Sequence, residues 1–135
     1  MRTRTTLAAA LLALAVLTAG CSSADSKPEA SASPTQDPGE AFMSAVTNAG
    51  LDSYADGVPP AEELGAFPPQ WCDGLDSGHS VEWLYDMQQG NLYPIGQTWG
   101  TEKTDAYEVL VLGVRTHCPD HSDAVLEELR DNGLY

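Results

Sequence analysis

Three cysteines, three histidines and twenty carboxylates carry what chemistry this sequence can offer. His117 and His121 stand four apart, the spacing at which zinc-binding helices present two imidazoles on one face. Pro119 lies between them and disfavours the continuous helix that would align them, so no metal site is expected. They read instead as exposed residues at a helix end, where a partial positive charge is welcome. His79 precedes Ser80, but sequence neighbours do not face one another as base and nucleophile. No G-x-S-x-G elbow occurs and no carboxylate is marked out as an orienter, so Ser80 reads as a helix cap. Asp73, Asp76 and Asp120 lack calcium-loop spacing and read as solvated acids. No catalytic residue, metal ligand or cofactor is expected.

The cysteines say more. Cys21 follows Arg2 and Arg4, an apolar run from Leu7 to Leu17 made only of Leu, Ala and Val, and the small residues Ala19 and Gly20. That order is a basic start, an apolar stretch too short for a membrane span of ~20 residues, and a cleavage site. Leu17-Thr18-Ala19-Gly20-Cys21 resembles the bacterial lipobox, whose invariant cysteine receives a diacylglycerol, with Thr18 where Leu is usual. Residues 1–20 are therefore expected to be a signal peptide. Cys21 becomes the lipidated first residue of the mature chain, held on the outer face of the cytoplasmic membrane. Each buried methylene contributes ~0.8 kcal/mol, so two or three acyl chains anchor stably. Thr3 separates Arg2 from Arg4, which favours the general secretion route over the twin-arginine one. The rival reading is ordinary cleavage that leaves Cys21 an unpaired thiol.

With Cys21 assigned to lipid, Cys72 and Cys118 remain as an even pair in an oxidising compartment and should be bonded. Closing the 46 positions between them is worth ~4 kcal/mol by loop-closure entropy. Two catalytic or metal-binding thiols would be the alternative, but no C-x-x-C or paired ligand spacing supports it.

The elements that must position these groups follow a stalk. Residues 22–39 are mostly Ser, Ala, Pro, Asp, Glu and Lys without an apolar pattern, and Pro28, Pro34 and Pro38 bias them toward extended conformations. Residues 40–135 form one domain. Phe42, Ala45, Val46 and Ala49 mark a first helix ended by Gly50. Residues 52–60 read as a loop and 61–66 as a brief helical turn. Pro68-Pro69 open a helix through Trp71, Cys72 and Leu75. Ser80 caps a helix bearing Val81, Leu84, Tyr85 and Met87 that ends at Gly90. Residues 90–100, with three Gly and Pro94 among Leu92, Tyr93, Ile95 and Trp99, read as a loop that packs apolar side chains. The run Ala106, Tyr107, Leu110, Val111, Val114 and Cys118 marks the core helix, stopped by Pro119. A last helix from Ser122 carries Val125, Leu126 and Leu129. The expected fold class is all-α, a small bundle of four to five short helices closed by one disulfide.

Phe42 with Ala49-Gly50-Leu51, the run from Trp71 through Cys72-Asp73-Gly74-Leu75 to Gly78, and Thr116-His117-Cys118-Pro119 together resemble a known pattern. It is that of a small secreted domain family of mycobacteria and other actinobacteria, the domain of unknown function 732. That family has an aromatic-led helix ending in Gly-Ile, a Cys-x-x-Leu-x-x-Gly segment and a helix closing on Tyr-Cys-Pro. The resemblance covers Phe42 to Pro119. Here His117 replaces the Tyr, the loop of residues 90–100 is longer and richer in aromatics, and a helix is added after Pro119. The resemblance implies an all-helical, disulfide-linked domain and brings no activity.

Charge narrows the partners. Beyond the leader, Lys27, Lys103, Arg115 and Arg130 stand against twenty acids, a net charge of about −16. That sign argues against nucleic acid, anionic lipid and anionic cell-wall polymers as direct ligands, and it keeps a tethered domain clear of an anionic envelope. The membrane contact is through lipid on Cys21 alone. Two functional classes stay open. The preferred one is a non-enzymatic module that binds an envelope protein or small ligand through Trp83, Tyr93 and Trp99, aromatics being common anchors. The alternative is a small hydrolase or metal-dependent enzyme, which would gather His79 or His117 with carboxylates in a concave pocket.

Overall fold

Asp37 starts the folded chain. In the computed structural model, which describes residues 36–96 and 99–135, its carboxylate accepts hydrogen bonds from Gly39 N at 2.9 Å and Glu40 N at 3.2 Å. The expected signal peptide, Cys21 and the expected stalk to residue 35 lie outside the described residues. Pro38 occupies the first position of helix α1 (Pro38–Ala49), where a missing N–H costs nothing. Pro38 therefore belongs to the helix, two residues ahead of the boundary expected from composition. An N-cap aspartate followed by proline was the local signal for it.

The chain continues through a 3₁₀ turn (Asp52–Tyr54), a single helical turn α2 (Ala61–Leu64), α3 (Phe67–Asp76), α4 (Val81–Tyr85), α5 (Lys103–His117), a 3₁₀ turn at Pro119–His121 and α6 (Ser122–Asp131). The described residues contain no strand, and the fold is all-α with five helices beyond the single turn α2. The expected disulfide is formed. Cys72 and Cys118 lie 2.02 Å apart at sulfur and tie the middle of α3 to the residue that ends α5.

Helix α5 is the centre. It buries Ala106, Tyr107, Val109, Leu110, Val111, Gly113 and Val114, more than one stripe, because α1 and α3 pack against it and α6 adds a further contact. Phe42 and Val46 come from α1, Trp71 from α3, Val81, Leu84 and Tyr85 from α4, and Val125 and Leu129 from α6. These side chains form one cluster, and Trp71, fully buried, is its largest member.

Two expectations are corrected. Helix α4 stops at Tyr85 instead of running to Gly90. Asp86 leaves the helical region, and its carboxylate accepts from Gln88 N at 2.7 Å, so the chain turns where an aspartate competes with the helix for a backbone amide. Met87 falls outside the helix and is 60% exposed. Residues 90–100 do pack Leu92, Tyr93, Pro94 and Trp99, but Ile95 points away from the core at 56% exposure.

Candidate functional site

The aromatic side chains form a chain of contacts through the core. Trp99 meets Phe67 at 6.2 Å between centroids, Phe67 stacks on Trp71 at 5.7 Å, Trp71 meets Tyr85 at 6.5 Å, and Tyr85 meets Tyr93 at 5.0 Å and Tyr107 at 5.4 Å. Polar tips fix its position. Trp71 Nε1 donates to Leu92 O at 2.8 Å, Tyr85 Oη to Ala106 O at 2.6 Å and Tyr93 Oη to Thr101 O at 3.1 Å. Each donor tip thus finds a carbonyl acceptor, without which the buried N–H or O–H would be desolvated and unpaired.

The three aromatics expected to make an interaction surface end up in different settings. All are half-buried. Tyr93 and Trp99 are outer members of the ring chain, and Tyr93 has its hydroxyl engaged on the backbone. Trp83 stands apart. Its indole is covered by the His79 ring, stacked at 3.6 Å and 8°. Among the described residues no ring contact joins Trp83 to the other two.

Trp99 edges a cleft of 380 Å³, lined by Ser53, Tyr54, Asp56, Gly57, Val58, Pro59, Pro60 and Trp99. Long-range bonds build its wall. Ser53 N donates to Asp105 Oδ2 at 2.8 Å, and Glu102 N donates back to Ser53 Oγ at 2.8 Å. The 3₁₀ turn thereby supplies the amide partner that the start of α5 lacks locally. The hydroxyls of Tyr54 and Thr101 meet at 3.1 Å. Burial pushes Tyr54 above its ordinary pKa. The Thr101 hydrogen bond opposes this, and the Asp105 carboxylate adds to it. On the other side Gly96 makes room for the indole, since a Cβ there would lie 2.3 Å from Trp99 Cε2. Loop glycine was visible in the sequence. The pairing of residues 53–60 with residue 99 was not, because it forms only when the fold closes.

The remaining chemical groups are occupied structurally. Ser80 Oγ accepts from Trp83 N at 3.1 Å, the expected cap. His117 corrects an expectation: it is half-buried, edge-on to Phe42 at 6.1 Å, with Nδ1 3.0 Å from Thr116 Oγ1 and 3.3 Å from Gly113 O. A ring at this position covers Phe42, which an exposed helix end would not do. His121 is also half-buried and pairs with Asp76, Nε2 to Oδ1 at 2.7 Å. Asp73 and Asp120 are exposed. Beside His121, the Ser122 hydroxyl is fully buried without a hydrogen-bond partner, so it is not presented to a substrate. Among the described residues, no group of three or more His, Cys, Asp or Glu is placed to hold a metal ion.

A second, smaller cleft of 260 Å³ lies where α4, the start of α5 and the end of α6 meet, among Val81, Glu82, Lys103, Tyr107, Glu128 and Leu129. Glu128 is not free there. Its carboxylate accepts from Val81 N at 3.0 Å and Glu82 N at 3.3 Å, capping α4. No described helix is long and apolar enough to cross a membrane. Fold and cleft define a small, disulfide-closed helical domain with a depression edged by Trp99. No family model, curated protein or solved structure matches the chain.

Proposed function

We propose that this protein is a cell-envelope lipoprotein, anchored through Cys21 on the outer face of the cytoplasmic membrane, whose helical domain is a non-enzymatic binding module. In this reading the module engages an envelope protein or small ligand at the cleft beside Trp99. The observation that carries it is the setting of Trp99: a half-buried indole edging a concave site, on a scaffold braced by the disulfide and by the Ser53, Asp105 and Thr101 bonds. A rigid aromatic at a depression loses little conformational freedom on binding, which is why such residues dominate interfaces. Kinship with the domain of unknown function 732 belongs to the same proposal. Its support is that the three resembling segments supply Phe42, Trp71 and the Cys72–Cys118 bridge, the centre of this core.

The hydrolase reading has one observation in its favour, the His121–Asp76 pair, which has the form of a base with its orienter. The adjacent Ser122 hydroxyl is buried, so it does not serve as that base's nucleophile. Two experiments test the proposal. Metabolic labelling with palmitate should mark the wild-type chain and not Cys21→Ala, which should also leave the detergent phase; a labelled Cys21→Ala chain overturns the anchor. A photo-crosslinking residue at position 99 should trap a discrete envelope adduct, while one at exposed Ala124 on α6 should not. Identical adducts from both positions overturn the cleft as the binding site.

A further inference from the structure

Resting on the binding-module reading, we propose that the cleft beside Trp99 receives a cationic group, the ammonium or guanidinium of a basic side chain on a protein partner. The cleft lining offers a carboxylate and several carbonyl oxygens, and part of its backbone has no N–H to spare. Pro59 and Pro60 have no N–H, and Gly57 N is already committed to Tyr54 O at 3.0 Å. Among the described residues the carbonyls of Gly57, Val58 and Pro59 accept no hydrogen bond. Asp56 adds an exposed carboxylate to the same lining. It has no ion-pair partner, because the His121–Asp76 contact is the sole ion pair among the described residues. No Lys, Arg or His lines the cleft.

Trp99 completes the chemistry. An indole is the best of the aromatic faces for a cation, through the negative potential above the ring. Phe67 and Gly96 pack against this indole, and Asp56 shares the cleft lining with it. The rest of the molecule assists. From residue 36 onward, three bases face eighteen acids, a net charge of −15. A field of that sign concentrates basic segments around the domain and repels acidic ones.

The test uses the purified, isotope-labelled full chain and three probes: a blocked Gly-Lys-Gly peptide, the same peptide acetylated on the lysine amine, and a neutral glucose disaccharide. The indole resonance of Trp99, assigned with Trp99→Phe, is followed by nuclear magnetic resonance. The lysine peptide should shift it with an affinity about tenfold tighter than the acetylated peptide. Asp56→Asn removes an exposed charge without touching the core, and should weaken binding about threefold or more, as should raising the salt. Equal shifts from both peptides, or an unchanged affinity in Asp56→Asn, overturn the cationic ligand. A disaccharide that moves Trp99 where the lysine peptide does not also overturns it, while leaving the module reading intact. If no probe moves Trp99 and the crosslinker at position 99 traps nothing, both proposals fall.

Discussion

Gly113 lies in the middle of α5, where glycine costs about 1 kcal/mol of helix propensity relative to alanine. Propensity loses here to packing. A Cβ at this position would lie 2.7 Å from Trp71 Cζ3 and 3.1 Å from Pro68 Cγ, so the glycine lets α3 and α5 approach across the largest core side chain. Gly113→Ala should therefore destabilise the chain by about 1–3 kcal/mol despite its better propensity, as urea denaturation would read. A gain in stability would mean that Trp71 can shift. Tyr85 makes a second residue-scale prediction. Burial first, then the neighbouring Tyr93 and Tyr107, hold its hydroxyl well above the ordinary pKa of 10.0. Above pH 10.0 the unfolded chain releases a proton that the folded chain still keeps. Stability should thus be insensitive to this group below that pH and fall as pH rises beyond it. Tyr85→Phe loses the hydrogen bond to Ala106 O, worth about 1 kcal/mol at neutral pH, and should flatten that alkaline decline. Denaturation midpoints across an alkaline pH series, with tyrosinate absorbance alongside, measure both effects.

Among the elements, α4 depends most on distant help. Its five residues cannot sustain a helix by propensity alone. Ser80 caps it from within the chain, and Glu128 caps it from α6, 47 and 46 positions away. Glu128→Ala should cost about 1 kcal/mol, and hydrogen exchange should quicken at Val81 and Glu82 ahead of the other helices. Uniform quickening would count against a local cap. This dependence also separates what was legible in the sequence from what was not. The spacing of Phe42 and Val46, and of Ala106, Leu110 and Val114, marks α1 and α5 because each helix faces the core with a regular period. Ser80 marks the start of α4 because its cap is local. The end of α4 was hidden, since Met87 continues the apolar spacing while Asp86 breaks the backbone. The burial of His117 was hidden too, as it depends on Phe42 lying opposite. For the candidate site, Trp99 could be named as a possible anchor, but its partners in residues 53–60 could not. Only the bonds from Ser53 to Asp105 and Glu102, about fifty positions apart, put them side by side.

At the scale of the whole molecule, electrostatics oppose folding. Lys103, Arg115 and Arg130 form no ion pair among the described residues, so eighteen carboxylates repel one another with little local compensation. Compaction brings like charges closer, and salt screens them. Raising sodium chloride from about 10 mM to about 150 mM shortens the screening length from roughly 30 Å to roughly 8 Å. A relief of about 1 kcal/mol would raise Tm by about 4–8 °C in a domain of this size, which thermal denaturation at two salt concentrations would read. A flat or falling Tm would show that the charges are already spread far enough apart. The same experiment bears on how the proposed cationic partner acts, since a basic segment bound to the domain supplies the missing counter-charge itself.

The disulfide divides the chain into a covalent ring, residues 72–118, and two open arms. Trp99 belongs to the ring, and Asp56 to the arm before it. Loosening of that arm leaves the ring closed but takes one wall of the cleft away. A ligand gripped between Asp56 and Trp99 therefore acts as a reversible staple between arm and ring. At a free concentration a hundred times its Kd it would add about 2.7 kcal/mol against opening, so occupancy of the cleft can be followed as resistance of the arm to proteolysis.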